Sequence, residues 1–357
     1  MPEPSRRRRR KTPAAYHTPS DQQSDPKPKS RLARKLAKLV PPRGSGPAAT
    51  GREPDGALYS HDEQKAMEFA DAPDVARIEA QPFLKWAGGK SQLLVQYDEF
   101  FPNQMDRYFE PFLGGGAVFF HLKRRFPRMV ARLRDNNSEL INAYIAVRDH
   151  PHELMHRLDE HLAAFNADRK RYYYLVRSQH HLPEKEVVER AARMIFLNKT
   201  CFNGLYRVNT QGEFNVPIGS HKNPALYDRD NLLAAQWALR DAHLAAQDFR
   251  DTLKETRKGD FAYIDPPYHP LSPTASFTSY TKEAFGVKDQ QALAELVASA
   301  AKRGVRVMLS NSDTQFIREL YSRERIIVQT VKARRAISCD GAKRGKVDEV
   351  VILAGMD

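Results

Sequence analysis

Asp265-Pro266-Pro267-Tyr268 follows directly on the apolar run Phe261-Ala262-Tyr263-Ile264. A buried strand that ends in an acid, two prolines and an aromatic ring makes a rigid rim. Proline has no backbone N–H and a fixed φ, so the turn presents its carbonyl oxygens in a preset direction. Asp265 adds another acceptor, and Tyr268 offers a flat face. A planar base with an exocyclic amine can donate its N–H groups to Asp265 and the Pro266 carbonyl while stacking on Tyr268. That constellation suits methyl transfer to the amine. A plain loop after a strand also uses Pro-Pro, so the tetrapeptide alone leaves both readings open.

A second group of residues points to a nucleoside. Gly114-Gly115-Gly116 follows the strand-like Tyr108-Phe109-Glu110, and glycines let a ligand approach the backbone closely. Asp135 stands 21 positions after Gly114, at the end of the next apolar run. An acid at that place accepts hydrogen bonds from ribose hydroxyls in dinucleotide folds. The pattern is not GxGxxG, which speaks against a nicotinamide cofactor, and the glycines alone also fit a tight turn. Gly88-Gly89-Lys90-Ser91 is no phosphate loop either, because Leu84 stands where that motif needs its first glycine.

Alternating strand and helix patterns carry these residues. A helix is expected over Ala117 to Arg125, a strand over Val130 to Arg134 and a helix over Ser138 to Arg148. Residues 151 to about 200 show helical periodicity, and Leu205 to Val216 alternates around Thr210-Gln211-Gly212 as a β-hairpin. Tyr227 to Ala246 reads as a further helical stretch. Phe261 to Ile264 is a strand, Lys288 to Arg303 a helix and Val305 to Leu309 a strand, and Val328 to Lys332 with Val347 to Leu353 forms a closing antiparallel pair. The expected class is therefore α/β, one sheet domain interrupted by a mostly helical insert. The expected division is a basic arm over 1–80, a first catalytic half over 81–150, the insert over 151–249 and the second half over 250–357.

Composition sets the remaining limits. The 357 residues are 41% hydrophobic with a formal net charge of +13. Residues 1–50 hold 13 Lys+Arg against 3 Asp+Glu, leaving 44 and 41 in the rest, so the basic character lies mainly in the arm. Rich in Pro, Ser and Arg, the arm is expected to be disordered, either binding phosphates non-specifically or acting as a solubilising tail. Another reading makes it sequence upstream of a later start at Met67. No run is apolar enough to span a bilayer. Two cysteines, Cys201 and Cys339, are too few for a disulfide framework or a zinc cluster, so a reducing cytoplasm and no metal are expected, with both thiols as inert packing residues.

The motifs occur in a recognisable order: FLKWAGGK from Phe83, FEPFLGGGA from Phe109, FLNKTCFNGLYRVNTQGEFNVPIG from Phe196, DPPY, SNSD from Ser310 and RRAISCDGAKRGKVDEVVIL from Arg334. In this order the chain resembles the Dam family of adenine-N6 DNA methyltransferases, the D12 class and α group, over roughly Pro82 to Leu353. The resemblance implies a Rossmann-like methyltransferase sheet, S-adenosylmethionine as methyl donor and double-stranded DNA as substrate. It implies that Trp86, Lys90 and Phe112 line the cofactor site together with Gly114, Gly116 and Asp135, and that Asp265 borders it. Asp265, Pro266 and Tyr268 are then the catalytic residues, acting on an adenine rotated out of the duplex. Direct displacement on the sulfonium methyl needs no covalent intermediate, only positioning.

On the DNA side, the resemblance makes Arg207 the reader of the guanine before the target adenine. Phe202 and Asn203 fill the space around the displaced base, and Leu205 and Pro217 touch thymine methyls. Arg207 pairing only a phosphate or a surface acid is the competing reading, and Phe202 stands where several members have Tyr. The implied site is a GAT-containing palindrome, foremost GATC. The protein is expected to be a cytoplasmic monomer of bacterial or phage origin, associated with the nucleoid, solitary or with a restriction endonuclease as partner. The Ser/Thr/Pro-rich stretch His269 to Phe285 is expected to order on DNA. One rival is an amino-methyltransferase of ribosomal RNA, which lacks the FNGLYRVN…GEFNVP insert. Another is a DNA-binding repressor without turnover, against which the intact DPPY and glycine loop argue.

Overall fold

The computed structural model describes residues 79–180, 182–271, 285–334 and 346–356, all within one compact unit, His61–Asp357. The basic arm, the segment 272–284 and Cys339 lie outside the described residues. A seven-stranded sheet runs in the order β3-β2-β1-β4-β5-β7-β6. Its strands are β1 (Arg107–Glu110), β2 (Val130–Asp135), β3 (His243–Ala246), β4 (Phe261–Ile264), β5 (Arg306–Ser312), β6 (Ile326–Arg334) and β7 (Lys346–Ala354). The first five are parallel. β7 inserts antiparallel between β5 and β6, as the closing pair required. Strand β4 is buried throughout, the mark of a central parallel strand covered on both faces.

The helices are α1 (Leu94–Tyr97), α2 (Ala117–Arg125), α3 (Ser138–Asp149), α4 (Pro151–Ala167), α5 (Arg169–Arg177), α6 (Val187–Thr200), α7 (Arg229–Leu239), α8 (Phe249–Lys254), α9 (Val287–Lys302) and α10 (Gln315–Leu320). Apolar residues separate into two buried clusters. One gathers the aromatic residues of α2, α3 and the insert helices α4 to α6. The other packs Leu293, Ala294 and Val297 of α9 with Val307, Leu309, Val350 and Ile352 of the sheet.

Two elements differ from those expected of the sequence. The helical stretch expected over Tyr227 to Ala246 stops at Leu239, and His243–Ala246 is the edge strand β3, in parallel register with Arg132 to Asp135. With no β-branched residue, His243-Leu244-Ala245-Ala246 carries no local strand signal; pairing with β2 decides its state. The hairpin over Leu205 to Val216 keeps its reversal but has no long ladder. Only the isolated bridges Val208↔Phe214 and Cys201↔Ile218 form among the described residues. The Asn209 side chain accepts from the Gln211 and Glu213 backbone N–H groups, giving the chain a local alternative to strand pairing.

The winding direction reverses between β1 and β4, since β1 leads to β2 and β3 on one side and β4 leads to β5 on the other. Ligands of open α/β sheets bind outside the carboxyl ends of the strands at such a switch point. Asp135 stands at one of those ends, Gly114 and Asp265 just beyond theirs, and Ser310 two residues before the end of β5.

Candidate active site and recognition segment

Asp265 leaves the end of β4 with both carboxylate oxygens engaged. Lys90 Nζ lies 2.6 Å from Oδ2, and Ser310 Oγ donates to Oδ1 at 2.9 Å. Ser310 is buried near the end of β5 and lies 3.1 Å from the Tyr263 hydroxyl. Lys90 also donates to the Gly88 carbonyl at 2.7 Å, and its ammonium sits 4.9 Å from the centre of the Tyr268 ring. Lys90, assigned by resemblance to the cofactor, thus meets both Asp265 and Tyr268. Their side chains are 7% and 21% exposed for Lys90 and Asp265, so the pair is shielded yet open on the acid's side.

A set of buried amides holds the rest of the DPPY turn. Gln290 Nε2 of α9 donates to the Pro267 carbonyl at 2.9 Å, and Asn311 Nδ2 of β5 donates to Gln290 Oε1 at 3.1 Å. The His269 backbone N–H donates to Asn311 Oδ1 at 3.1 Å, and Ser312 Oγ donates to the His269 carbonyl at 2.6 Å. The Pro267 carbonyl is therefore occupied, while no described residue donates to that of Pro266. The half-buried Tyr268 donates its hydroxyl to Glu349 Oε2 of β7 at 2.7 Å. Burial of the hydroxyl, with Asp265 close by, pushes its pKa well above the ordinary phenol value, so it keeps its proton and its donor role.

On the other side of the switch point, Gly114 donates its backbone N–H to Asp135 Oδ2 at 3.0 Å, and Asn137 donates its own to Oδ1 at 3.0 Å. Asn137 in turn caps α3 by accepting from the Glu139 and Leu140 N–H groups, so one short turn fixes the acid and starts the helix. Burial raises the Asp135 pKa, while the hydrogen bonds it accepts pull it back down. Gly116 has φ 69°, and a Cβ there would lie 2.7 Å from the Tyr144 hydroxyl, which itself donates to the Gly114 carbonyl. A Cβ on Gly114 would meet the Trp86 ring at 2.9 Å. Phe112 stacks on Phe249, with ring centres 5.4 Å apart. Beneath this loop, Glu110 is buried, accepts from the Tyr108 hydroxyl at 2.8 Å, and is held well above the usual carboxylate range by burial.

The segment expected to recognise DNA begins where α6 ends. Phe202 is 49% exposed, and Asn203 adopts φ 55° in a single 3₁₀ turn. The Phe202 backbone N–H donates to the Pro217 carbonyl at 2.9 Å, bringing two of the predicted DNA contacts together. Arg207 is exposed and its Nε donates to Asn215 Oδ1 at 2.8 Å, while its two terminal nitrogens have no partner among the described residues. Leu205, expected to contact DNA, is half-buried against the large core cluster, so the structure shows it packing. Tyr206 stacks on Trp86 with ring centres 5.5 Å apart, joining the segment to the glycine loop. Cys201 is buried, and burial pushes its thiol up to about 11, which suits packing and not nucleophilic work. Among the described residues no group of three or more His, Cys, Asp and Glu is placed to hold a metal, and no helix is long and apolar enough to cross a membrane.

A family model described as D12 class N6 adenine-specific DNA methyltransferase matches residues 86–337. The chain belongs to this family. The methyltransferase is 42% identical over 279 residues to a type II methyltransferase of Methanocaldococcus jannaschii, covering 75% of this chain and 96% of that one. It is 36% identical over 280 residues to a DNA adenine methylase of Haemophilus influenzae, covering 78% and 95%. With the DNA adenine methylase of Escherichia coli it shares 36% over 271 residues, covering 76% and 94%.

The motifs SNSD and RRAISCDGAKRGKVDEVVIL hold Ser310, Asn311 and Glu349, but their pattern alone assigns those residues no role. Gln290 was missed altogether, because a glutamine at a buried helix position carries no signal until the sheet brings it under the DPPY turn. Tyr206 was passed over beside Arg207, and only its contact with Trp86 singles it out.

Proposed function

We propose that this adenine-specific DNA methyltransferase transfers a methyl group from S-adenosylmethionine to N6 of an adenine rotated out of a GAT-containing palindrome, foremost GATC. The observation that carries the chemistry is the Asp265 carboxylate fixed at the switch point beside the Pro266 carbonyl, to which no described residue donates. Each carboxylate oxygen keeps a second lone pair beyond those used by Ser310 and Lys90. Asp265 and the Pro266 carbonyl accept hydrogen bonds from the two N6 hydrogens, drawing the nitrogen toward tetrahedral geometry and localising its lone pair, and the proton that N6 gives up on methylation passes to solvent. Tyr268 holds the base by stacking, and the extrusion of the base costs a few kcal/mol that these contacts must return.

The residues on the other side of the switch point fit the methyl donor. Gly114 and Gly116 let Trp86 and Tyr144 pack directly on the loop backbone, Asp135 retains acceptor capacity, and Trp86 and Phe112 supply aromatic rings beside it. When bound, S-adenosylmethionine supplies an activated methyl on a sulfonium. Asp265 would border the bound cofactor, and Lys90 balances the carboxylate's charge.

Arg207 reads the guanine before the target adenine through its two terminal guanidinium nitrogens, held in plane by Asn215. Phe202 and Asn203 project from the turn at the end of α6 into the space beside the displaced base, and Pro217 and Leu205 contact thymine methyls. The basic arm adds non-specific phosphate contacts. The test is labelled methyl transfer from S-adenosylmethionine to plasmid DNA, with sequencing of the modified adenines. Incorporation confined to GATC is expected; label in a longer GAT-containing site revises the recognition segment alone, and label only in ribosomal RNA overturns the substrate.

A further inference from the structure

We propose that Glu349 is a positioning residue for methyl transfer, setting the plane of the Tyr268 ring through the ring's hydroxyl. The inference rests on the reading that Tyr268 stacks the target base. Tyr268 follows two prolines, which fix the backbone before it. Gln290 holds the Pro267 carbonyl, and Asn311 and Ser312 hold both backbone groups of His269, so the chain is anchored on either side of the tyrosine. Those contacts leave the side-chain torsions free to turn the ring about a fixed Cα. The Lys90 ammonium faces the ring 4.9 Å from its centre, and at the far end of the ring the hydroxyl donates to Glu349 Oε2 at 2.7 Å.

Glu349 is itself placed by the sheet. Its register partners are Ser312 on β5 and Val331 on β6, so its backbone is paired on both sides. Strand β5 carries Ser310, which holds Asp265 Oδ1. The acid that accepts the amine and the acid that orients the stacking ring are therefore referred to the same strand, β5, through Ser310 and through the Ser312–Glu349 pairing. A hydrogen bond to a carboxylate is stronger than one between neutral groups, which favours one ring orientation over the others.

The test is a double-mutant cycle on the full chain, read as the single-turnover rate of methyl transfer to a duplex carrying the target site, with KM for DNA and melting temperature measured in parallel. Tyr268→Phe and Glu349→Ala are each expected to slow the rate about tenfold, the scale of one hydrogen bond to a charged group, with KM for DNA little changed. The double variant is expected to be no slower than the slower single variant, because both remove the same contact. Glu349→Gln keeps an acceptor oxygen and is expected to recover most of the rate, which also serves if Glu349→Ala fails to fold. Multiplying losses in the double variant, a full-rate Glu349→Ala, or a Glu349→Gln that stays as slow as Tyr268→Phe despite an unchanged melting temperature would overturn the proposal. An unaltered protein that transfers no methyl to DNA overturns the function reading itself, a result plainly distinct from any pattern among the variants.

Discussion

Lys90 and Asp265 are 175 residues apart in the chain, yet Lys90 Nζ lies 2.6 Å from Asp265 Oδ2. The pair joins the segment before β1 to the end of β4 across the switch point of the sheet. Its ammonium also faces the Tyr268 ring, so one cation touches the acceptor and the stacking surface together. Asp265→Asn keeps the shape but loses the charge and one acceptor. Turnover is expected to fall by at least about 10³-fold, the scale on which single electrostatic groups in active sites act, while DNA affinity stays within about threefold. Rates from labelled methyl transfer beside equilibrium binding check this, and a variant of near-normal rate would refute the assignment of Asp265.

Arg207 presents its two terminal nitrogens to solvent while Asn215 holds Nε. Arg207→Ala is expected to relax discrimination at the guanine by about 1–3 kcal/mol, measured as the ratio of kcat/KM for GATC and a site with that base replaced. Equal losses on both sites would instead make Arg207 a phosphate contact.

His161 is buried in the insert, with Nδ1 2.8 Å from the Tyr172 hydroxyl and Nε2 without a partner among the described residues. Burial, helped by nearby Arg157, lowers its pKa from 6.5 to about 4. The unfolded chain therefore binds the proton more readily, and stability falls as the pH drops from about 6.5 toward 4. At most about 3 kcal/mol is lost from this group over that window. Urea unfolding at pH 7 and pH 4.5 is expected to show a smaller acid loss in His161→Gln than in the parent.

Gly116 caps α2 with a left-handed backbone, and the Tyr144 hydroxyl stands where its Cβ would be. Gly116→Ala is expected to lower stability by about 1–3 kcal/mol through backbone strain and crowding. It also displaces the loop that carries Gly114, so weaker binding of S-adenosylmethionine is expected by titration calorimetry. An unchanged melting temperature would show that Tyr144 yields without cost.

Deleting residues 1–75 is expected to weaken DNA affinity and flatten its dependence on salt, leaving the recognised site unaltered. Binding isotherms at several salt concentrations check this, and a changed site would show that the arm reads bases.

Much of this molecule is written locally. The glycine run after Glu110, the acid closing β2 and the prolines after Ile264 each announce a strand end, because only those residue types meet its backbone and hydrogen-bonding demands. The helix expected over Ser138 to Arg148 forms as Ser138–Asp149, and the structure adds the Asn137 cap that starts it. The family and its chemistry followed from the order of these motifs. What only the tertiary structure decided depends on pairing between distant segments. His243–Ala246 becomes a strand because β2 offers an open edge, and its own residues favour no such state. The convergence of Lys90, Ser310 and Glu349 on the DPPY turn follows from the strand order β1-β4-β5-β7, which no local spacing encodes. Local sequence fixes the type of each element through short-range sterics and hydrogen bonding; which side chains meet is set by sheet register, a property of the whole chain.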